Sequence, residues 1–172
     1  MCGRYRLAVE SEAIAEHFGV EPDDAWKPRY NIAPTQNVIV VRQHQEEPKR
    51  LASRMRWGLV PFWAKDPSIG YRMINARAET IAAKAAFRDA VRKRRCLVPA
   101  DGFYEWKKEG KTKSPFCFTM VDGRLFAFAG IWDSWRSPER QALETCSIIT
   151  TTPNFLCADV HDRMPVILPE DA

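Results

Sequence analysis

Apolar residues along this chain fall mostly in short runs and alternations of strand length, and only twice at helical spacing. Ser11 to Phe18 is the first helical stretch: Ser11 is a capping residue, Ile14 and Phe18 share a face, and Gly19 can end it. The second runs from Ile81 to Arg94, with Ala82, Ala86, Phe87, Ala90 and Val91 on one side and basic residues opposite. Almost everything else predicts strand. Val38 to Val41 is β-branched, Met55 to Val60 is a mixed apolar run, and Leu143 to Thr152 is rich in strand formers. Phe116 to Val121 and Leu125 to Trp132 are separated by Asp122-Gly123, a hairpin signal. Lys107 to Lys113, with Gly110 and several lysines, predicts an exposed turn.

Strands in series with two helices predict an α+β fold, a mainly antiparallel, barrel-like β domain with a few peripheral helices. No internal repeat, low-complexity tract or composition shift divides it, and 172 residues suit one domain. Twelve prolines point to fixed loops, where a site carried by a β scaffold is expected.

Composition adds little to that picture, and charge somewhat more. Hydrophobic residues at 45% and charged residues at 28% are ordinary for a globular protein. No apolar run reaches bilayer length, and Met1 to Arg6 lacks the apolar core of a signal peptide, so a cytoplasmic protein without membrane contact is expected. The net charge of +4 permits a polyanionic partner without requiring one. Much of it lies in Arg88, Arg92, Lys93, Arg94 and Arg95, which first suggest the solvated face and C-terminal end of a helix. Five scattered cysteines without a CxxC pair argue against a disulfide framework, and Cys96, Cys117 and Cys146 sit where a cysteine serves as a small core residue. His17, His44 and His161 form no zinc spacing, so no metal and no cofactor are expected.

Cys2 owes its interest to its position. Once Met1 is removed, Cys2 carries an α-amine and a thiol on adjacent carbons, and both are partly nucleophilic near neutral pH. The amine can convert an aldehyde to an imine, and the thiol can close it to a five-membered thiazolidine. An internal cysteine cannot, because its nitrogen is an amide. The plain alternative is a small residue in a terminal strand. Arg56 to Trp63 packs a glycine, a proline and three aromatics into one stretch, either core or a platform for unpaired bases. Asn75 and Arg77 point the same way on an extended segment. Glu105 lies between Tyr104 and Trp106, either a desolvated general base or a surface partner of Lys107 or Lys108. His161, followed by Asp162-Arg163 and a proline-fixed loop, is either a proton donor or a histidine held by Asp162.

Together these stretches resemble the SRAP family, the SOS response-associated peptidase domain of abasic-site shielding proteins. The matching blocks are MCGRY at the start, NIAPTQ at 31–36, RWGLVPFWAKD at 56–66, INARAET at 74–80, RCLVPADGFYEWKK at 95–108 and VHDRMPVIL at 160–168. They span nearly the whole chain in the family's order. The resemblance implies a groove for single-stranded DNA, and trapping of the ring-opened abasic sugar as a thiazolidine. By motif position it implies Cys2 as nucleophile, Asn75 orienting the terminus and sugar, Glu105 serving proton transfers at the amine, and His161 donating a proton as the ring opens. Arg4 and Arg77 become phosphate contacts, and Trp63 with Phe62 the stacking wedge. A monomer acting on abasic sites in single-stranded DNA is expected. Family members continue past the VHDRMP block, so a single domain over residues 1–172, truncated at its C-terminus, is expected too.

Two other readings use the same residues. In an N-terminal-nucleophile amidohydrolase or thiol autopeptidase, the Cys2 thiolate attacks an amide with its own amine as base. In a non-covalent module, the aromatics and arginines only hold single strands or modified bases.

Overall fold

The computed structural model describes residues 2–44 and 46–170. In chain order these form β1 (Arg4–Leu7), α1 (Ser11–Phe18), β2 (Arg29–Ile32), β3 (Asn37–Gln43), β4 (Arg50–Trp57), a 3-10 turn (Pro67–Arg72) and β5 (Asn75–Arg77). There follow α2 (Arg88–Lys93), β6 (Arg95–Ala100), β7 (Gly102–Glu109), β8 (Thr112–Phe118), β9 (Phe126–Arg136) and β10 (Ala142–Thr151). The last elements are α3 (Phe155–Ala158), β11 (Met164–Pro165) and β12 (Ile167–Leu168).

Five strands close into a barrel in the order β10-β4-β3-β6-β9, because β9 pairs back onto β10 along Gly130 to Arg136. Every seam is antiparallel except β10 with β4, so the barrel is mixed. Where β4 leaves β10 at Trp57, β5 takes its place beside Ile148 to Thr150, also in parallel. The excursion between them, residues 58–74, carries the exposed aromatics. β3 shows why its valines form an unbroken run: Val38 to Val41 are all buried, as on a strand covered on both faces.

The remaining strands form a four-stranded antiparallel sheet, β2-β1-β7-β8. Its inner face meets the barrel through Tyr5 and Phe103, whose rings lie edge-on to Phe128 at 5.7 and 6.0 Å. Tyr5 also meets Trp57 at 5.4 Å. Such edge-to-face pairs, in addition to the area they bury, orient one sheet on the other.

Several expectations change. α1 begins where the sequence placed it, but its N-cap is Glu10 with no side-chain bond, and the Ser11 hydroxyl accepts from the Asp23 amide instead. The helix expected over Ile81 to Arg94 is a helix only from Arg88 to Lys93. Tight turns precede it, with Ala83 N–H donating to Thr80 and Phe87 N–H to Lys84. Ile81, Phe87 and Ala90 still bury against Leu59, Ala76 and Ile131, so the apolar face is real while packing on the barrel overrides alanine's helix propensity. Asp122-Gly123 is a turn but no hairpin, since β8 and β9 belong to different sheets. The hairpin joins β7 to β8 instead, through Gly110 (φ 62°) and Lys111, and most of the lysine-rich segment is strand. Cys117, expected in the core, is exposed on β8. Among the described residues no helix is long and apolar enough to cross a membrane.

Candidate active site

β1 leads directly out of Cys2, and its antiparallel register with β7 (Arg4 with Tyr104, Tyr5 with Phe103) brings Glu105 toward the N-terminus. Alternation along β7 turns Phe103 and Glu105 inward and Tyr104 and Trp106 outward. Glu105 is therefore buried, only 3% exposed, which excludes the surface ion pair with Lys107 or Lys108. Cys2 is fully buried beside it. Burial, and next the Glu105 charge, push the Cys2 thiol far up from its ordinary range, while the Arg4 amide donates to its sulfur. The resting thiol is neutral.

His161 reaches the same point from the other side of the barrel end. The α3 carbonyl of Cys157 accepts from the His161 amide at 2.9 Å, and the ring places Nε2 3.9 Å from Glu105 Oε2. Two groups compete for Nδ1. The Arg163 amide donates to it at 3.0 Å, which needs a lone pair, and the exposed Asp162 carboxylate lies 2.9 Å away, which needs a proton. The amide is the fixed partner, so in the neutral ring the proton sits on Nε2, the nitrogen facing Glu105. Cys157 also adjoins Glu105, and burial followed by that charge raises its thiol.

Asn75 stands on β5 opposite Ile148 of β10. Its amide donates a long 3.5 Å bond to the Ile148 carbonyl, and its buried Oδ1 accepts no hydrogen bond among the described residues. Leaving such an acceptor unmet costs roughly 1–3 kcal/mol. Arg77, two residues on, is exposed. Arg4 is partly exposed and donates to Asn31 Oδ1 at 3.0 Å. The structure thus brings Cys2, Glu105 and His161 together, and sets Asn75 and Arg77 on β5.

Phe62 and Trp63 are 57% and 49% exposed on the excursion between β4 and β5. They are exposed because the rest of that loop is pinned. Val60 N–H donates to Thr145 Oγ1 at 2.8 Å, Phe62 N–H to Asp133 at 3.1 Å, and Trp135 Nε1 to the Ala64 carbonyl at 2.6 Å. Gly58, at φ 130°, lies so close to Gly70 that an added Cβ would sit 2.6 Å from its carbonyl oxygen. Trp57, in the same sequence block, is fully buried, so that block divides between core and surface.

The chain matches the family described as SOS response associated peptidase (SRAP) over residues 1–172. The chain belongs to the SRAP family. Among similar SRAP relatives, abasic site processing protein YoqW of Bacillus subtilis (strain 168) is 48% identical over 175 residues, covering 99% of this chain and 77% of the relative. Abasic site processing protein HMCES of Mus musculus is 35% identical over 216 residues, covering 98% and 61%. A crystal structure of a Bacteroides thetaiotaomicron protein superposes with a TM-score of 0.91 at 29% identity, covering 99% of this chain and 78% of that one. One from Bordetella bronchiseptica gives 0.85 at 27%, covering 99% and 85%.

In this SRAP domain the sequence passed over the supporting residues. Arg163 makes a bidentate pair with Glu79 at 2.8 and 3.0 Å and donates to the Thr150 carbonyl at 2.8 Å, which fixes the loop carrying His161. That pairing holds the Glu79 carboxyl down at about 2. Asp133, buried among aromatics, binds the loop amide of Phe62 and the Arg94 guanidinium at 3.3 Å. Arg94 therefore turns inward rather than joining the solvated basic face. An aspartate directly after the apolar run Phe126 to Trp132 is the signal available in the sequence. Among the described residues no three His, Cys, Asp or Glu side chains group to hold a metal ion.

Proposed function

We propose that this protein captures abasic sites in single-stranded DNA by forming a thiazolidine between Cys2, freed of Met1, and the aldehyde of the ring-opened sugar. The observation that carries the reading is the convergence of Cys2, the buried Glu105 carboxylate and His161 at one point of the barrel. The relatives' names, abasic site processing proteins, support it independently.

The chemistry follows from these groups. Glu105 takes a proton from the Cys2 ammonium, giving the free amine that attacks the aldehyde carbon. The carbinolamine then loses its hydroxyl as water, protonated by the proton that Glu105 took while His161 Nε2–H hydrogen-bonds the departing oxygen, and the nitrogen gives up its own proton to the Glu105 carboxylate, so that an imine remains. The neutral thiol adds to the imine carbon and its proton passes to nitrogen, closing the ring. One water is released overall and nothing is oxidised or reduced. In this reading Asn75 Oδ1 accepts from the sugar or the amine, Arg4 and Arg77 meet phosphates, and Phe62 with Trp63 stacks on bases beside the gap.

A denaturing gel of the mature protein with an abasic oligonucleotide tests this. The expected result is a heat-stable protein–DNA band in wild type that is absent in Cys2→Ala without borohydride. An amidohydrolase or a non-covalent binding module gives no such band, and its absence from wild type would overturn the reading.

A further inference from the structure

The open face of the four-stranded sheet carries a feature that folding alone does not explain. Lys108 of β7 and Lys113 of β8 are register partners, directly across from each other in the hairpin. Like charges placed so, with Cβ atoms about 5 Å apart, destabilise the strand pair. Both side chains are exposed, and neither has a carboxylate within ion-pair reach among the described residues; Glu109, beside them, engages Lys107 instead. The turn adds Lys111.

Trp106 and Tyr104 share this outward face, whereas Cys2 is buried with Glu105 on the inner side. One row along, Trp106 lies opposite Pro115, and then Tyr104 opposite Cys117 and Arg4. Beyond them Arg6 lies over the Tyr30 ring at 5.6 Å, held by Asp101. Extending the β1–β7 register sets Cys2 level with Trp106. Residues two apart recur about every 7 Å along a strand, so the lysine pair sits one row beyond the level of Cys2, on the opposite side of the sheet.

We infer that Lys108 and Lys113 together clasp a backbone phosphate of the strand flanking the reacting nucleotide, so that DNA leaves the site along the open face of this sheet. The inference rests on the proposed function for its ligand. A shared anion between the two ammonium groups removes their repulsion, and Trp106, exposed on the same face, can stack on a base.

Charge reversal separates a structural from a binding role, because the two predict opposite signs. Lys108→Glu places a carboxylate opposite Lys113, so thermal stability holds or rises. Its affinity for an undamaged oligothymidylate of about 15 nucleotides falls severalfold. The slope of log K against log salt is shallower by about 0.7, as for one lost phosphate contact. The conservative pair Lys108→Gln with Lys113→Gln loses the same slope. Affinity and slope equal to wild type in both variants would overturn the clasp. Adduct formation is scored separately, at saturating protein on an abasic strand. A wild type that binds undamaged strands with the full slope but gives no adduct would sink the proposed function and leave the clasp standing.

Discussion

Glu105 Oε2 and His161 Nε2 lie 3.9 Å apart beside the buried Cys2, so in the proposed reaction both act on the same reacting atoms. Removing either group leaves the nucleophile in place and the arginines and aromatics untouched. Glu105→Gln and His161→Ala are therefore expected to slow adduct formation about 10²-fold in single-turnover kinetics. Binding to undamaged single strands should stay within about twofold, as the groups act on reaction and not on recognition. Adduct formation at the wild-type rate in both would reassign them as packing residues. The candidate chemistry was legible from residue types at fixed positions. What was not legible is tertiary: the neutral, buried state of the Cys2 thiol and the Arg163 amide that sets the His161 tautomer both depend on strands far apart in sequence.

The loop between β4 and β5 and the loop after α3 hold the site's reach, and each has one fastening that can be tested. Gly58 combines a left-handed backbone with backbone contact to Gly70, so Gly58→Ala is expected to cost about 2–4 kcal/mol in urea unfolding. A variant as stable as wild type would mean the two segments separate freely. The other fastening is the Glu79–Arg163 pair. The Glu79 carboxyl is depressed to about 2, below its unfolded value, so its contribution is present above pH about 4.5 and fades as pH falls toward 2. The stability difference between wild type and Glu79→Gln should accordingly be constant at neutral pH, narrow below 4.5 and vanish near 2. A difference independent of pH would mean the pair does not hold this loop. The elements that failed in the sequence failed for related reasons. Ile81 to Phe87 keeps a helical apolar face yet is bent into turns by the barrel surface, and Asp122-Gly123 makes a turn whose flanking strands join different sheets. Periodicity reports which side of a segment is buried; it does not report against what.

At the scale of the whole molecule, barrel and sheet meet along Tyr5, Trp57, Phe103 and Phe128, and that junction sets Cys2 between them. The barrel itself was foreseen as mainly antiparallel. Its parallel seam was not, since only the passage of β10 from β4 to β5 creates it, and that passage places Asn75. Thiazolidine closure depends on connectivity at Cys2, which burial cannot supply. Intact mass spectrometry of the products of an abasic oligonucleotide with two forms of the protein, Met1 removed and Met1 retained, tests it most directly. The mature form should shift wholly to protein plus DNA minus one water, stable to heat without a reductant. The Met1-retained form has its Cys2 nitrogen tied up as an amide, so it should return as unmodified protein after denaturation. An equally stable adduct on the Met1-retained form would contradict the thiazolidine and place the nucleophile elsewhere in the chain.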